Sequence, residues 1–256
     1  MSFAHTSLRD EYAAAVEQTA AQTLGALRGA GGAVALVDPG TANASRPLLA
    51  AVRVLGPDLF APQLLGGAAP DTEAVLLLAE AHRAFPSTAA EADGPDAPEG
   101  AALIAAWRDW ATGALFARTL RSISTPGLAE LSLRAPQPDH APQPQPHAWQ
   151  AWSVRMAQLS ALALPGLDGP VHRTARTHTL ALARGTVRSM LRRDHRVAAR
   201  LARWLAWSRA EGLSLPLEVE PVLERIHAAG DGSSRTALEL GIAEALLAIT
   251  PNGATA

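Results

Sequence analysis

The 256-residue sequence contains no cysteine and no lysine, so all 22 of its basic residues are arginines. Without cysteine, disulfides, thiolate catalysis, iron–sulfur clusters and cysteine-ligated zinc are excluded. Without lysine, Walker A phosphate binding, Schiff-base chemistry and the lysine-dependent kinase site are excluded. The alanine-rich, arginine-only composition is typical of a high-GC genome, and we therefore expect a bacterial source.

Strand patterns are nearly absent, and aromatic residues make up only 4% of the chain. The only strand-like stretch is Ala33–Val37, whereas apolar residues recur at helical spacing along most of the sequence. Ser7 and Ser45 each precede such a pattern and are predicted N-caps, and a further helix is predicted to start near Asp71 or Thr72. The sequence therefore predicts an all-α protein built as a multi-helix bundle.

No long hydrophobic run is evident either. Residues 1–10 have no apolar core of a leader peptide, and apolar runs such as Ala74–Ala79 are far shorter than the roughly 20 residues that span a bilayer. We therefore expect a cytoplasmic protein without a membrane partner.

Two segments rich in proline divide the chain. Residues 86–100 are acidic and predict a mobile loop, while Ala135–His147 contains five prolines in thirteen residues and favours a polyproline II linker or surface loop. The predicted organisation has three parts: a helical half over 1–133, a Pro/Gln-rich segment over 134–147, and a helical half over 148–256 with a frayed tail at 250–256.

Charge divides at the same place. Residues 1–133 carry 8 arginines and 14 acids, a net charge of 8 − 14 = −6, and residues 134–256 carry 14 arginines and 10 acids, a net charge of 14 − 10 = +4. An acidic half and a basic half are able to dock on each other, or the basic half is able to face an external partner.

The basic half contains an unusual arginine-rich stretch. Ten arginines lie between Arg173 and Arg209, where Asp194 is the only acid. A helical wheel drawn continuously from Leu180 collects one apolar face, made of Leu180, Ala183, Val187, Met190, Leu191, Ala198, Leu201 and Leu205. The same wheel places arginines and Trp207 on the opposite face. The predicted anion-binding residues are Arg184, Arg188, Arg192, Arg193, Arg196, Arg200, Arg203 and Trp207.

Arginines four residues apart on a helix repel one another by a few tenths of a kcal/mol per pair, so a purely structural face would contain interspersed glutamates. The first hypothesis is a non-enzymatic binding protein whose arginines contact the phosphates of DNA or RNA while Trp207 stacks on a base. The alternative is a protein–protein adaptor or regulatory protein, in which this face docks on an acidic surface of this chain, of a second copy or of another protein.

The six tryptophans form three W-x-x-W pairs, Trp107/Trp110, Trp149/Trp152 and Trp204/Trp207. Core packing between alanine-rich helices is the favoured interpretation of the first two pairs, and Trp207 is predicted to be exposed. A third hypothesis, an all-α enzyme of secondary metabolism, would use these rings to line a pocket. No catalytic or metal-binding motif supports it, and the sequence predicts no cofactor and no metal site.

Asp194 has two alternative roles. In one continuous helix over 172–210 it lies on the apolar face and needs a basic partner. If the helix breaks there, Asp194 is the N-cap of a second helix, which is the preferred interpretation because 39 residues is long for a globular helix.

Overall fold

The computed structural model of the chain describes residues 7–29, 44–86, 99–123, 131–133, 135, 137–139, 141–144 and 148–249. Every regular element in these ranges is a helix, which confirms the all-α class. The predicted strand Ala33–Val37, most of the predicted loop 86–100 and the predicted tail 250–256 lie outside the described residues. In chain order the α-helices are α1 (Leu8–Leu27), α2 (Arg46–Leu55), α3 (Ala61–Leu65), α4 (Thr72–Ala84), α5 (Glu99–Ser122), α6 (Trp149–Gln158), α7 (Pro170–Thr177), α8 (Thr179–Leu191), α9 (His195–Ala210), α10 (Val219–Ala229) and α11 (Ser234–Leu247), with 3₁₀ turns at Gly56–Phe60 and Ser160–Leu162.

The predicted N-caps of α1 and α2 are confirmed, and α4 begins where a helix start was predicted, with Asp71 as its N-cap. Ser7 forms a capping box with Asp10, and the Ser45 side chain accepts a hydrogen bond from a backbone N–H in the first turn of α2. The Asp71 carboxylate accepts the backbone N–H of Glu73 at 2.9 Å. Each cap satisfies a donor that the helix itself leaves unpaired, which fixes where the helix begins.

The part of the chain before Asp194 that begins at Pro170 forms two helices, α7 and α8, and not one. The chain leaves the helical conformation at His178, where φ is −120° and ψ is 38°. Threonine precedes and follows this histidine, and both residue types have modest helix propensity. The break lets α8 take its own direction relative to α7.

Helices from both sides of the predicted linker share one hydrophobic core. Helix α1 packs against α2 from its own half and against α11 from the other half. Helix α9 is the central element, in contact with α6, α8, α10 and α11. Its residues from Ala198 to Ser208 are all buried except the partly covered Arg200, so almost no side of this helix faces solvent.

The described part of the Pro/Gln-rich segment lies against the helices that follow it. The Trp152 indole N–H donates to the carbonyl oxygen of Pro142 at 2.9 Å, and the Gln143 amide donates to the Thr174 hydroxyl at 3.1 Å. These contacts tie the segment to α6 and α7 at two points. The division of the chain into an acidic and a basic domain stays a prediction.

Among the residues that the structure describes, one helical stretch is long and apolar enough to cross a membrane, although no apolar run of that length was expected. Arg46–Leu65 combines α2, a 3₁₀ turn and α3, and 61% of its most apolar window is buried inside the protein. A core segment of a soluble bundle has the same character, since burial in protein and burial in lipid both select apolar residues.

Candidate binding surface on helix α8

The arginine-rich stretch is divided by a sharp turn at residues 192–194. Arg193 has a φ of 58°, a left-handed conformation that non-glycine residues seldom adopt. Asp194 then begins α9, because its carboxylate accepts the backbone N–H of Val197 at 3.1 Å. The structure therefore confirms Asp194 as an N-cap, and α8 and α9 are separate helices.

The turn overturns the helical wheel for Arg203 and Trp207. A wheel advances by about 100° per residue only while the helix is continuous, and residues 192–194 interrupt it. The Arg203 side chain is 0% exposed and Trp207 is 1% exposed. The prediction that these two residues belong to an exposed face is wrong, and Trp207 is not available to stack on a base.

Arg203 is held by two acids that come from distant parts of the sequence. Its Nη1 lies 2.7 Å from Asp58 Oδ1 and 2.9 Å from Glu239 Oε2, and its Nε donates to the carbonyl oxygen of Ala163 at 3.3 Å. The Ser160 hydroxyl donates to the second oxygen of Glu239 at 2.8 Å. Arg203 thus joins α9 to α11 and to the turn after α2.

Burial and charge act in opposite directions on this cluster. Burial disfavours the charged form of Glu239, but attraction by Arg203 and Arg200 outweighs it and holds the Glu239 pKa below its ordinary value. For Asp58, burial is the larger effect and raises its pKa despite Arg203. Burial also opposes the charge of Arg203, yet attraction to Asp58 and Glu239 leaves its pKa raised. The cluster is an internal ion-pair network.

Two further members of the predicted face also lie beside acids of this chain. Arg200 Nε is 3.4 Å from Glu239 Oε1, and its side chain is only 19% exposed. Arg196 is more open and lies 3.9 Å from a carboxylate oxygen of Glu17 in α1. The α9 part of the arginine row therefore faces acids of the same protein.

Trp207 packs in an aromatic cluster under the C-terminal end of α9. Its ring centroid lies 5.5 Å from that of Trp204 and 5.2 Å from that of His172. The Arg176 guanidinium carbon lies 5.0 Å from the centroid of the Trp207 ring, a cation–π distance. The His172 Nε2 lies 2.9 Å from the Leu162 carbonyl oxygen and donates to it, while burial lowers the His172 pKa. These rings hold α7 against α9.

Most tryptophans are core residues. Trp107, Trp152 and Trp204 are at most 2% exposed, as the core-packing interpretation predicts for the first two. Trp110 and Trp149 are partly buried. With four of the six rings packed inside the bundle, the Trp-lined pocket of the enzyme hypothesis gains no support from them.

Helix α8 turns its small residues inward. Gly185 faces α6 and α9 so closely that a Cβ there would lie 2.6 Å from Ser153 Cβ and 3.1 Å from Leu201 Cδ1. Leu182, Thr186 and Ser189 are buried on the same side. Close approach of two helices requires small side chains between them, because larger ones would hold the backbones apart.

Three larger apolar side chains of α8 point outward, whereas Leu182 is buried and Met190 is partly buried. Leu180 is 51% exposed, Val187 is 41% exposed and Leu191 is 81% exposed. The wheel assigned all three to a buried face, and for these residues that prediction is wrong. The signal in the sequence is the spacing of Gly185 and Ser189, small residues at i, i+4, which marks the inner face of α8 more faithfully than its apolar residues do.

The outward residues line a recess, here called the α8 groove. One part has a volume of about 550 Å³ and is lined by Trp149, Leu180, Arg184, Val187, Arg188 and Leu217, among others. A second part of about 1000 Å³ shares Val187, Leu191 and Leu217 and extends along α10. Trp149 and Leu217 are groove residues that the arginine pattern did not predict.

Arginines surround the apolar floor of this groove. Arg184, Arg188, Arg192 and Arg193 are all exposed, and none forms an ion pair with an acid in the described part of the chain. Arg184, Arg188 and Arg192 follow one another at i, i+4 on α8 and its C-cap. The α8 part of the predicted anion-binding row is thus accessible, in contrast to Arg203 on α9.

Over the described residues no group of three or more histidines, aspartates or glutamates is arranged to hold a metal ion. A comparison of the chain with protein-family models, with curated proteins and with solved structures finds no match.

Proposed function

We propose that this chain is a non-enzymatic helical binding protein whose α8 groove engages an acidic surface of a partner protein. The observation that carries this proposal is the interleaving, on one helix, of exposed apolar side chains with exposed arginines that form no ion pair with any described residue. Arginine is favoured at protein interfaces because its planar guanidinium binds carboxylates with two hydrogen bonds. Exposed apolar side chains that gather in a recess are typical of protein-binding surfaces.

Binding of DNA or RNA is the second candidate function. Three arginines in line at i, i+4 without neighbouring acids favour it, since phosphates are bound by such rows. The apolar floor between the arginines favours a protein, because a phosphate backbone offers nothing apolar to cover Leu180, Val187 and Leu191. Burial of Trp207 also removes the base-stacking group that the nucleic-acid hypothesis relied on.

The two functions are separated by titrating the full chain with poly-L-glutamate and with single- and double-stranded DNA at two salt concentrations. Trp149 lines the groove beside Arg184, so the part of the tryptophan emission change that is lost in Trp149→Phe reports binding at the groove. The proposal expects salt-sensitive binding of polyglutamate that exceeds the binding of DNA at equal charge concentration. Counterion release makes the salt dependence report how many arginines are engaged.

The matched variants are Arg184→Ala/Arg188→Ala/Arg192→Ala and, as a control, Arg9→Ala/Arg83→Ala/Arg121→Ala, which removes exposed arginines from α1, α4 and α5. Polyglutamate binding should be lost in the first variant and kept in the second. Tighter binding of DNA, lost in the first variant only, would make nucleic acid the partner. Equal losses in both variants, or no binding of any polyanion, would overturn the proposal.

A further inference from the structure

We infer that the occupant of the α8 groove is an amphipathic helix of a partner protein, with an apolar stripe flanked by aspartates or glutamates. This inference rests on the proposed function and adds the shape and the residue pattern of the partner. It follows from three features of the groove: the spacing of its exposed residues, its extent along α8 and α10, and the sign of its charge.

The exposed residues of α8 have the spacing of a helix-packing seam. Leu180, Arg184, Val187 and Leu191 follow one another at intervals of four, three and four residues. That alternation is the one by which two helices pack lengthwise with knobs in holes. At about 1.5 Å per residue the seam is roughly 16 Å long, the length of three helical turns. A partner helix of three to four turns would therefore cover it.

The groove is broad and open to solvent. Its two parts, of about 550 and about 1000 Å³, meet at Val187, Leu191 and Leu217. Trp149 of α6 and Leu217, in the segment that leads into α10, line it together with α8. A helix presents a ridge of side chains that would lie lengthwise along such an open groove.

The positive charge of the groove favours a partner helix with acidic residues on both sides of its apolar stripe. Four arginines line its two parts, Arg184, Arg188, Arg193 and Arg225, against one acid, Glu218. A second copy of this chain would bring the same arginines into the interface, and like charges placed together cost several kcal/mol. A carboxylate opposite Arg184 is of particular value, because a charged seam residue fixes the register of a helix pair when it meets its complement.

The test uses three fluorescein-labelled synthetic peptides of about four helical turns. The first has leucines at i, i+3, i+4 and i+7 with glutamates on both flanks. The second has the same composition in a scrambled order that destroys the apolar stripe. The third has lysine in place of every glutamate. Anisotropy titrations with the full chain should rank the first peptide tightest, by at least about tenfold over either other peptide.

Two variants assign the binding to the groove. Val187→Ser/Leu191→Ser should weaken binding of the first peptide by at least about tenfold, whereas Leu76→Ser, at a leucine of α4 that is 47% exposed, should leave it unchanged. Arg184→Glu should weaken the glutamate peptide and strengthen the lysine peptide. All substituted side chains are exposed, and circular dichroism verifies that each variant keeps its helices.

The outcomes distinguish the inference from the proposed function. If the scrambled acidic peptide binds as tightly as the first, the helix inference is overturned while the acidic partner stands. If neither acidic peptide binds, or the lysine peptide binds equally well, both fail. If sedimentation velocity shows a dimer that Val187→Ser/Leu191→Ser dissociates, the occupant is a second copy of this chain and the inference is overturned.

Discussion

Helices α8 and α9 carry similar arginine rows but use them in opposite ways. On α8 the arginines are exposed and have no acidic neighbour in the described part of the chain, whereas on α9 Arg203 is fully buried between Asp58 and Glu239. The difference in exposure between the two sets of arginines does not come from the local sequence, in which they form a single series at i, i+4 spacing. It arises because a three-residue turn redirects the chain and because acids from other helices meet only the second part. A charge pattern on a helix therefore acquires its role from what the fold places opposite it.

The largest expected effect comes from removing the buried charge of α9. Arg203→Met should destabilise the protein by about 3–5 kcal/mol, because buried Asp58 loses its ion-pair partner and buried Glu239 keeps only the longer contact to Arg200. Urea denaturation measures the change in unfolding free energy. Arg192→Met is the matched control at an exposed position, expected within about 0.5 kcal/mol of the unsubstituted protein. A similar small effect at Arg203 would contradict the internal network.

The aromatic cluster beneath α9 should make stability depend on pH. Burial lowers the pKa of His172 below its ordinary 6.5, so below pH 6.5 the unfolded chain binds a proton that the folded chain does not. Stability is therefore expected to fall as pH falls from 6.5 toward the folded pKa, by at most about 1.4 kcal/mol per pH unit for one histidine.

His172→Phe keeps a ring beside Trp204 and Trp207 and should reduce that slope in denaturation curves recorded between pH 7 and pH 5. His82 contributes a remaining slope of the same sign, since burial lowers its pKa to about 4. An unchanged slope in the His172→Phe protein would show that His172 is protonated alike in both states.

A smaller effect is expected at the junction of the two helices. Asp194→Ala removes the carboxylate that caps α9 and should cost about 1 kcal/mol of stability. Asp194→Asn, which retains an acceptor oxygen, is the control and should recover most of the loss. If alanine and asparagine are equally tolerated, the cap does not stabilise the start of α9.

The smallest expected effect has the opposite sign. Arg188→Glu places an acid four residues from both Arg184 and Arg192, so it should stabilise the protein by a few tenths of a kcal/mol per pair. Thermal or urea unfolding at low salt detects the gain, and high salt should diminish it. A loss of stability instead would mean that Arg188 already has a partner.

Much of the fold was predictable because helix signals are local. Helices begin at the positions marked in the sequence by Ser7, Ser45 and Asp71. Asp194 marks the break between α8 and α9. Capping depends on a side chain and a backbone N–H two or three residues away, so the sequence contains all the information needed. The all-α class follows from the same local patterns.

The candidate site was predictable only in part. Arg184, Arg188, Arg192 and Arg193 are exposed as predicted, but the burial of Arg203 depends on acids 145 residues before it and 36 residues after it, at Asp58 and Glu239. No local pattern contains that pairing.

By itself, the sequence determined that this protein is helical, where several of its helices begin, and that disulfide and lysine chemistry are excluded. Only the tertiary structure decided which side of α8 is covered. The close approach of α6 at Gly185 accepts small side chains alone, and that contact directs Leu180, Val187 and Leu191 into the groove beside the arginines. Local propensity determines where the helices form, but the packing between helices determines which side chains stay exposed and able to bind a partner.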